Sequence, residues 1–514
     1  MSEETLRRII RPIFANAPNA SMSVDGWVNS QESRATKVRW TRRYFDGDHD
    51  SDLTEELRKA LRITSGLKEF NDNRMQVVIN TMTDRLRIDD IVADTEPQTE
   101  WAAELMRLNR FDALQASVHE DVLVDGETFV MVDYNEEDGH VRWTHEPAYD
   151  GVEGVIPVYI NRKMVAAVKM WHLVEDITSS TQGVRSSNTS RGDDLLYVNL
   201  YWPDKIQKFL SRKGGALERR EDEDGAWEFP WTDAAGKPLG VPLLHFRNRP
   251  TTRSTAGLSE IENAIPLQNI LNRTLYSMTY AAETSAFRIY VSKGFDPPVN
   301  LSPGTIIPIS PDAPLDPDEI VDFSVIEGAP PQPYIHQAEH LINAIHEVTM
   351  TPRRDSQGSA NASGEAIKMR EISLLGKVQR FQVYTGNKWE DIFELSTRVQ
   401  TAFAESVPVE NNWVTRWKSA EIRDERQVIE LAVLLQQTGT ISEAATLRIV
   451  APIFDWDAAQ LEQITEEKKT ERAESMSALG GDLPGFDTFN PPSFNGGTNL
   501  NRREREEEGV NGNG

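Results

Sequence analysis

The sequence predicts an α+β fold, because the hydrophobic periodicity changes twice along the chain. Residues 1 to about 120 repeat apolar side chains every three to four positions, as helices do. From residue 127 to about 250 apolar and polar side chains alternate, as they do in strands. From Gly257 onward the helical spacing returns in longer segments. The elements are therefore expected in the order helices, β-rich section, long helices.

The composition is that of a folded protein with several structural regions. Its 514 residues suggest two to four such regions, with 39% hydrophobic and 26% charged side chains. No run approaches 18 apolar residues, so no membrane span is expected, and the start, MSEETLRRII, lacks the apolar segment of a secretion signal. The absence of cysteine excludes disulfides and thiolate zinc sites and suits synthesis in a reducing cytoplasm.

The net charge of −26 restricts the binding functions that are possible. A protein that grips nucleic acid across a broad face needs a basic surface, since phosphate neutralisation supplies most of the affinity. Acidity at this level has two explanations, which the sequence leaves open. It keeps a folded protein from aggregating, or it prevents the surface from holding a polyanion that passes close by.

The first 250 residues contain the clearest local signals. Helical spacing is present in 52–63, 75–88 and 100–126. ETFVMVDYNEEDGHVRWTHEP predicts a hairpin that turns at Asp138-Gly139. Residues 178–194 are polar and rich in turn formers, which predicts a mobile surface insertion.

A helix is expected over 258–286, with Ser259 and Glu262 at the spacing of a capping box. Pro266 would kink it, because an interior proline removes a hydrogen bond. Its main apolar stripe consists of Ile261, Ile265, Leu271, Leu275 and Met278. Leu267 and Ile270 form a second stripe, so the helix is expected to pack on both flanks.

The rest of the chain alternates compact, helical and polar segments. Residues 287–332 contain strand-like stretches (FRIYVSKG, GTIIPIS) and acidic prolines, and 333–350 and 364–403 are helical on either side of TPRRDSQGSANAS (351–363). Gly376 and Gly386 are tolerable breaks in the second of these helices. A small helical module follows Trp417, and from about residue 471 the composition predicts disorder.

Motifs for catalysis or metal binding are weak. HQAEH (336–340) matches the H-x-x-E-H pattern of inverted zinc proteases, but it equally suits the polar face of a packed helix. DGDHDSD (46–52) lacks the glycine and the bidentate acid of an EF-hand, which leaves only a looser cation site open. There is no phosphate-binding G-x-x-x-x-G-K-[ST] loop. We therefore predict no catalytic residues, no metal and no cofactor.

The order of these segments resembles the portal (connector) proteins of tailed bacteriophages, in particular those of long-tailed phages. The resemblance spans about 30–465. It depends on five phrases at compatible intervals: YFDGDHD; VVINTMTDRLRIDD; ALQASVHEDVLVDGETFVMVD; PLLHFRNRP…GLSEIENAIPLQNILNRTL; and SGEAIKMREISLLGKVQRFQ.

The resemblance implies a ring, usually of twelve subunits, at one capsid vertex. The parts it implies are a mixed helical/β wing (1–256), a first stem helix (257–286), a small β-containing clip (287–332), a second stem helix (333–350), a tunnel loop (351–363), a long helix that returns to the wing (364–414), an α-helical crown (415–470) and a disordered tail (471–514). The insertion at 178–194 and the tail have no counterpart in the family pattern.

Such a protein is not an enzyme. It resides in the virion and passes double-stranded DNA without reading its sequence. Its protein partners are capsid and scaffold proteins, the large terminase subunit during packaging, and later the head-tail adaptor. The tunnel-loop residues implied to touch DNA are Arg353, Arg354, Gln357, Ser359 and Asn361. The clip residues implied to dock partners are Asp312, Asp316, Asp318 and Glu319.

Alternatives remain at this stage. The loop arginines would instead pair with Glu339 or other acids if the loop were only a connector. A metal-dependent hydrolase would use His336, His340 and a carboxylate, and another multimeric head or adaptor protein would share the ring without the channel role.

Overall fold

The computed structural model describes most of the chain. The described residues are 24–50, 71–173, 195–212, 217–252, 254–286, 289–293, 322–326, 330–352, 364–404, 412–420, 425–454 and 458–479, with isolated positions 7, 11, 55, 59 and 456. The chain divides into two compact units, Met1–Glu421 and Ile422–Gly514. The mixture of helices and sheets confirms the predicted α+β class.

Four helices open the described part of the first unit. They are α1 (Val24–Phe45), α2 (Arg74–Thr83), α3 (Glu96–Leu108) and α4 (Phe111–Asp125). The single helical pattern over 100–126 is in fact interrupted between α3 and α4, where Arg110 adopts a φ of 50°. The reason is tertiary: the Asn109 side chain donates to Val141 O (3.0 Å) and accepts from Trp143 N (2.7 Å), which ties the break to a strand.

The predicted hairpin is present. The strands β1 (Ile88–Val92), β2 (Glu127–Asn135) and β3 (His140–Pro147) follow in chain order. β2 pairs with β3 antiparallel around the turn at 136–139, where Gly139 has a φ of 69°. A later strand completes a three-stranded sheet with β2 at its centre.

The larger sheet has six strands, which lie within the described parts of 154–230. It is built from β4 (Gly154–Ile160), β5 (Lys163–Leu173), β6 (Leu195–Tyr201), β7 (Lys205–Arg212), β8 (Glu218–Arg219) and β9 (Glu228–Pro230). One face carries Val168, Val198 and Leu200, which pack in a cluster with Trp27 and Ala35 of α1. β10 (Leu243–Arg247) then joins β2.

Two helices and a strand pair occupy the predicted stem and clip. They are α5 (Ile265–Ala286), β11 (Ile289–Lys293), β12 (Asp322–Ile326) and α6 (Gln332–Val348). β11 was expected, whereas the pairing strand β12 was not; GTIIPIS, at 304–310, lies outside the described residues. α5 and α6 pack against each other.

The start of α5 differs from the expectation. The helix begins at Ile265, and Ser259 Oγ accepts from Ile261 N (3.3 Å) in the preceding turn instead of capping a helix. Pro266 therefore occupies the first helical turn, where a missing N–H costs nothing, and does not kink an interior. Seven residues of the expected helix, 258–264, precede α5, and Glu260 among them forms a buried ion pair described below.

One long helix holds the first unit together. α7 (Gly364–Phe403) is continuous over 40 residues, so neither Gly376 nor Gly386 breaks it. Its second half lies against β2 and β10, where Trp389 and Phe393 are completely buried. β13 (Val414–Trp417) pairs with β1, so these residues belong to the first unit and not to the terminal module.

The second unit is helical, as expected. It contains α8 (Glu425–Gln437), α9 (Glu443–Val450), a 3-10 turn (Ala451–Ile453) and α10 (Ala458–Leu479). Ser442 caps α9 by accepting from Ala445 N at 3.2 Å. α10 continues past residue 470, where the sequence predicts loss of structure.

Several expectations fall outside the described residues. These are most of the helix at 52–63, the polar insertion at 178–194 and the tail from 480 onward. Within the described part of the chain, no helix is both long and apolar enough to cross a membrane.

Candidate functional site

Neither set of predicted contact residues lies in the described part of the chain. The loop residues are Arg353, Arg354, Gln357, Ser359 and Asn361, and the clip carboxylates are Asp312, Asp316, Asp318 and Glu319. Their roles stay predictions. The structure does describe the point at which the loop leaves α6 and the helix to which it returns.

The loop leaves α6 through a well-formed helix C-terminus. Met350 has a φ of 54°, Thr351 N donates to His346 O (2.9 Å) and Met350 N donates to Glu347 O (3.1 Å). This pair of bonds is the Schellman motif, and the following Pro352 cannot continue a helix. Backbone hydrogen bonds therefore fix the chain at the end of α6, up to the point where the loop begins.

A buried ion pair holds this exit against α7. Lys377 Nζ lies 2.6 Å from Glu260 Oε2 and donates to Thr349 O at 2.8 Å. Asn248 Nδ2 donates to Glu260 Oε1 at 2.8 Å, so both carboxylate oxygens have partners. The side chains of Lys377 and Glu260 are only 8% and 3% exposed. One lysine thus joins the α6 terminus, α7 and the segment that precedes α5.

A cleft of about 290 Å³ opens beside this ion pair. Its lining includes Lys377, Met350 and Tyr384, together with the exposed Arg249 and Arg380. Among the described residues, no carboxylate lies at ion-pair distance from either arginine. The base of the loop therefore presents positive charge on a chain whose net charge is negative.

The predicted stem-packing residues differ in how deeply they are buried, and burial decreases along the chain. Ile261, Ile265 and Leu271 are completely buried in the chain's own core, Leu275 packs against that core, and Met278 is half-buried. Their contribution to a stem made of several copies remains a prediction.

Large apolar side chains are exposed on α5, at the end of α6 and on α7. They are Ile270 and Tyr280 on α5, Val348 and Met350 at the end of α6, and Ile372, Val383 and Tyr384 on α7. Val383 is 60% exposed and Ile372 57%. Exposed apolar side chains mark an interaction site where they form a contiguous patch.

A second buried cluster connects α1 to the three-stranded sheet. Glu127 pairs with Arg34 and accepts from His245 Nε2 at 3.0 Å, while Tyr159 Oη donates to His245 Nδ1 at 2.9 Å. Burial alone would raise the pKa of Glu127, but the charge of Arg34 and the bond from His245 lower it to about 2. Burial lowers the pKa of His245 to about 4, so the ring is neutral and serves as a structural bridge.

The family assignment follows from the whole chain. Residues 28–474 match the family described as "Phage portal protein, SPP1 Gp6-like". The chain belongs to this family. The resemblance to portal proteins is thereby confirmed over nearly nine-tenths of the sequence. No curated protein matches the chain significantly.

Solved structures similar to this portal-family chain include those of gene transfer agent (GTA) particles. The neck of a native GTA particle computed with C12 symmetry is 10% identical over 73% of this chain and 87% of that chain, with a TM-score of 0.39. The virion of a native GTA particle is 11% identical over 77% and 98% (TM-score 0.39). The neck of an empty GTA particle computed with C6 symmetry is 11% identical over 77% and 94% (TM-score 0.40). These values are too low to transfer any property of those particles to this chain.

In this portal-family chain the HQAEH segment lies on α6. His336 and His340 are exposed, and His336 Nδ1 is 3.9 Å from Glu339. No group of three histidine, aspartate or glutamate side chains among the described residues is placed to hold a metal ion. Nothing in this geometry favours the hydrolase alternative over the polar face of a helix.

Sequence reasoning missed the ion pair at the loop base. Lys377 interrupts a buried stripe of α7 formed by Leu374, Val378 and Phe381, which is the signal that could have identified it. A lysine on an apolar stripe needs a buried partner, because an unpaired charge is costly there. The identity of the partner, Glu260, is not visible in the local pattern.

Proposed function

We propose that copies of this chain form a closed ring, of about twelve subunits as is usual in the family, that serves as the DNA channel at one vertex of a phage capsid. The observation that carries the proposal is membership of the portal family over residues 28–474. In this role the protein itself catalyses no reaction. A separate ATPase supplies the energy for DNA translocation.

Exposed apolar side chains support the ring. A closed ring joins two different faces of each subunit, so both faces must be complementary and apolar enough to associate. In the first unit, Ile270 and Tyr280 on α5 and Val383 and Tyr384 on α7 supply such surfaces. The second unit likewise exposes Leu431, Leu434 and Phe454. Neighbouring copies would cover these side chains.

The charge and the loop support a channel. A net charge of −26 per subunit disfavours tight, extended binding to DNA, which would stop the duplex from sliding. Arg353 and Arg354 would make weak contacts to the DNA backbone that position the duplex without reading sequence. The Schellman motif and Lys377 would keep the root of the loop in place while the glycine- and serine-rich segment adjusts.

Partner docking is assigned to the proposed clip. The acidic segment with Asp312, Asp316, Asp318 and Glu319 would dock the large terminase subunit during genome packaging and the head-tail adaptor afterwards. Capsid and scaffold proteins would contact the proposed wing. The protein would then remain in the virion and pass the genome at ejection.

Electron microscopy of the purified full chain tests the ring. We expect rings with a central hole slightly wider than duplex DNA. Compact monomers at all concentrations would contradict the proposal. A ring whose hole is too narrow for a duplex would favour another multimeric head or adaptor protein.

A double substitution tests the loop. Arg353→Ala with Arg354→Ala should leave ring formation intact and lower the yield or retention of packaged DNA, because two phosphate contacts per subunit are lost. The control is Arg87→Ala with Arg107→Ala, which removes the same charge from exposed positions on the first unit. Equal DNA yields from the two variants would support the simple-connector interpretation.

Charge reversal tests the clip. Lysine at the four acidic clip positions should weaken binding of the large terminase subunit to preformed rings in a pull-down measurement. The rings themselves should still form. Unchanged binding would remove the docking assignment without affecting the ring.

A further inference from the structure

A cleft of about 560 Å³ lies between the six-stranded sheet and the β2–β3 hairpin, within the first unit. The face of the sheet that packs on α1 is apolar, whereas the opposite face lines this cleft with polar and aromatic side chains. Phe403, the last residue of α7, and Trp231 close one side. The function proposed above does not use this cleft.

Strand register places four polar residues in one row across the floor of the cleft. Lys169 on β5 is opposite Asn199 on β6, and Asn199 is opposite Lys208 on β7. Arg220 continues the row, since its backbone N–H donates to the backbone carbonyl of Lys208 at 3.0 Å. Paired residues of adjacent antiparallel strands project from the same face, so the row brings three cations together.

Two of these cations have no carboxylate partner among the described residues. Lys169 pairs with Glu146, but among the described residues no acid lies at ion-pair distance from Lys208 or Arg220. The Lys208 ammonium is instead 3.8 Å from the centroid of the Phe229 ring. Arg220 donates to Asn199 Oδ1 at 3.3 Å.

Burial and the neighbouring Arg220 charge lower the pKa of Lys208, while Asp222 and Asp133 oppose the change. The cleft thus holds two adjacent positive charges at an energetic cost that a bound anion would relieve.

Aromatic rings form the walls beside the cations. Trp171 stacks on Tyr197 with ring centroids 5.5 Å apart, and the Arg220 guanidinium is 4.9 Å from the Tyr197 centroid. On the opposite side Tyr134 stacks on Phe403 at 5.4 Å. A cleft with cations on the floor and aromatic walls suits a ligand that has both carboxylates and apolar side chains.

Carboxylates at the rim favour a peptide over a nucleic acid. Asp133 and Glu136 line the same cleft, and Asp133 is only loosely paired with Arg142 at 3.5 Å. A polyphosphate backbone that extends beyond the two cations would approach these acids and the net charge of −26. A single carboxylate side chain can reach Lys208 and Arg220 without doing so.

We propose that this cleft is a docking site for an acidic peptide segment of another protein, in which a carboxylate binds Lys208 and Arg220 and a neighbouring apolar side chain enters between the aromatic walls. The proposal concerns a single subunit, so it does not depend on ring formation.

Fluorescence polarisation with labelled, end-capped peptides tests this proposal on the full chain. The probe is a pool built from glutamate, aspartate, phenylalanine and leucine. The reference pool has glutamine and asparagine at the acidic positions. We expect saturable binding of the acidic pool, and at least about tenfold weaker binding of the amide pool, since two charge-assisted hydrogen bonds are lost.

Variants locate the binding. Lys208→Gln with Arg220→Gln should weaken the acidic pool at least about tenfold, whereas Lys163→Gln with Arg219→Gln, which removes equal charge from exposed positions of the same sheet, should not. Circular dichroism checks that both variants fold. An affinity unaffected by the first variant, absence of saturable binding up to about 1 mM, or stronger competition by oligothymidylate than by the acidic pool would each overturn the proposal.

Discussion

The buried ion pair at the loop base provides the sharpest stability test. Replacing Lys377 by methionine keeps the length and apolar body of the side chain but removes the ammonium. Glu260 Oε2 then loses its partner at 2.6 Å, and the carbonyl of Thr349 loses a hydrogen bond of 2.8 Å. Because neither side chain is more than 8% exposed, water cannot replace the lost partner without a local rearrangement.

The magnitude follows from the burial. Removing one member of a buried ion pair costs about 3–5 kcal/mol, since a charge remains buried without compensation. Removing both charges is far less costly. In the double variant Glu260→Gln with Lys377→Met, the glutamine oxygen still accepts from Asn248 and no charge is buried. We expect the double variant to be within about 2 kcal/mol of the unmodified protein.

Urea denaturation followed by tryptophan fluorescence measures this difference. Eleven of the 12 tryptophans precede residue 422, and the exception is Trp456. The fluorescence signal therefore reports mainly on the first unit. With a slope of about 3 kcal/mol per M, the Lys377→Met midpoint should fall by about 1 M or more. A midpoint change below about 0.3 M, or a double variant no more stable than the single one, would refute the view that the charges compensate each other.

Three further stability predictions use the same assay. Gly257→Ala should destabilise the first unit by about 3 kcal/mol or more, because the new methyl would overlap the Gly126 carbonyl oxygen; near-native stability would show that this close approach can relax. Gly376→Ala should instead stabilise α7 by up to about 1 kcal/mol, since nothing lies within 4 Å of the new methyl, and a loss of stability would contradict this. Burial lowers the pKa of His119 to about 4. The contribution of the neutral His119 ring to the free energy of unfolding is therefore complete above pH 6.5 and is lost as pH falls from 6.5 to 4. Relative to His119→Gln, the unmodified protein should therefore lose about 3 kcal/mol across that interval, and parallel pH curves for the two proteins would refute the assignment.

Local pattern was sufficient for the elements whose side chains alternate or repeat without interruption. The hairpin turns where Asp138-Gly139 predicted, because a turn of this kind is set by neighbouring residues. α7 was expected from its spacing, and its two glycines do not break it, since each costs only about 1 kcal/mol against extensive packing. The order of segments was also enough to predict the family.

Local pattern was insufficient wherever a distant residue competes with the helix. The break at Asn109 depends on bonds to Val141 and Trp143, and the late start of α5 accompanies the pairing of Glu260. Each of these sequences is compatible with a longer helix when it is considered alone. Only tertiary partners make the interruption favourable.

The sequence by itself therefore determined the α+β class, the order of the elements and the portal family, because periodicity and phrase order are properties of the chain. Tertiary structure alone decided which charges are compensated. Lys377 forms an ion pair with Glu260. Strand register places Lys208 and Arg220 side by side, and neither has a carboxylate partner among the described residues. Electrostatic energy depends on distances between residues far apart in the chain, and folding is what sets those distances.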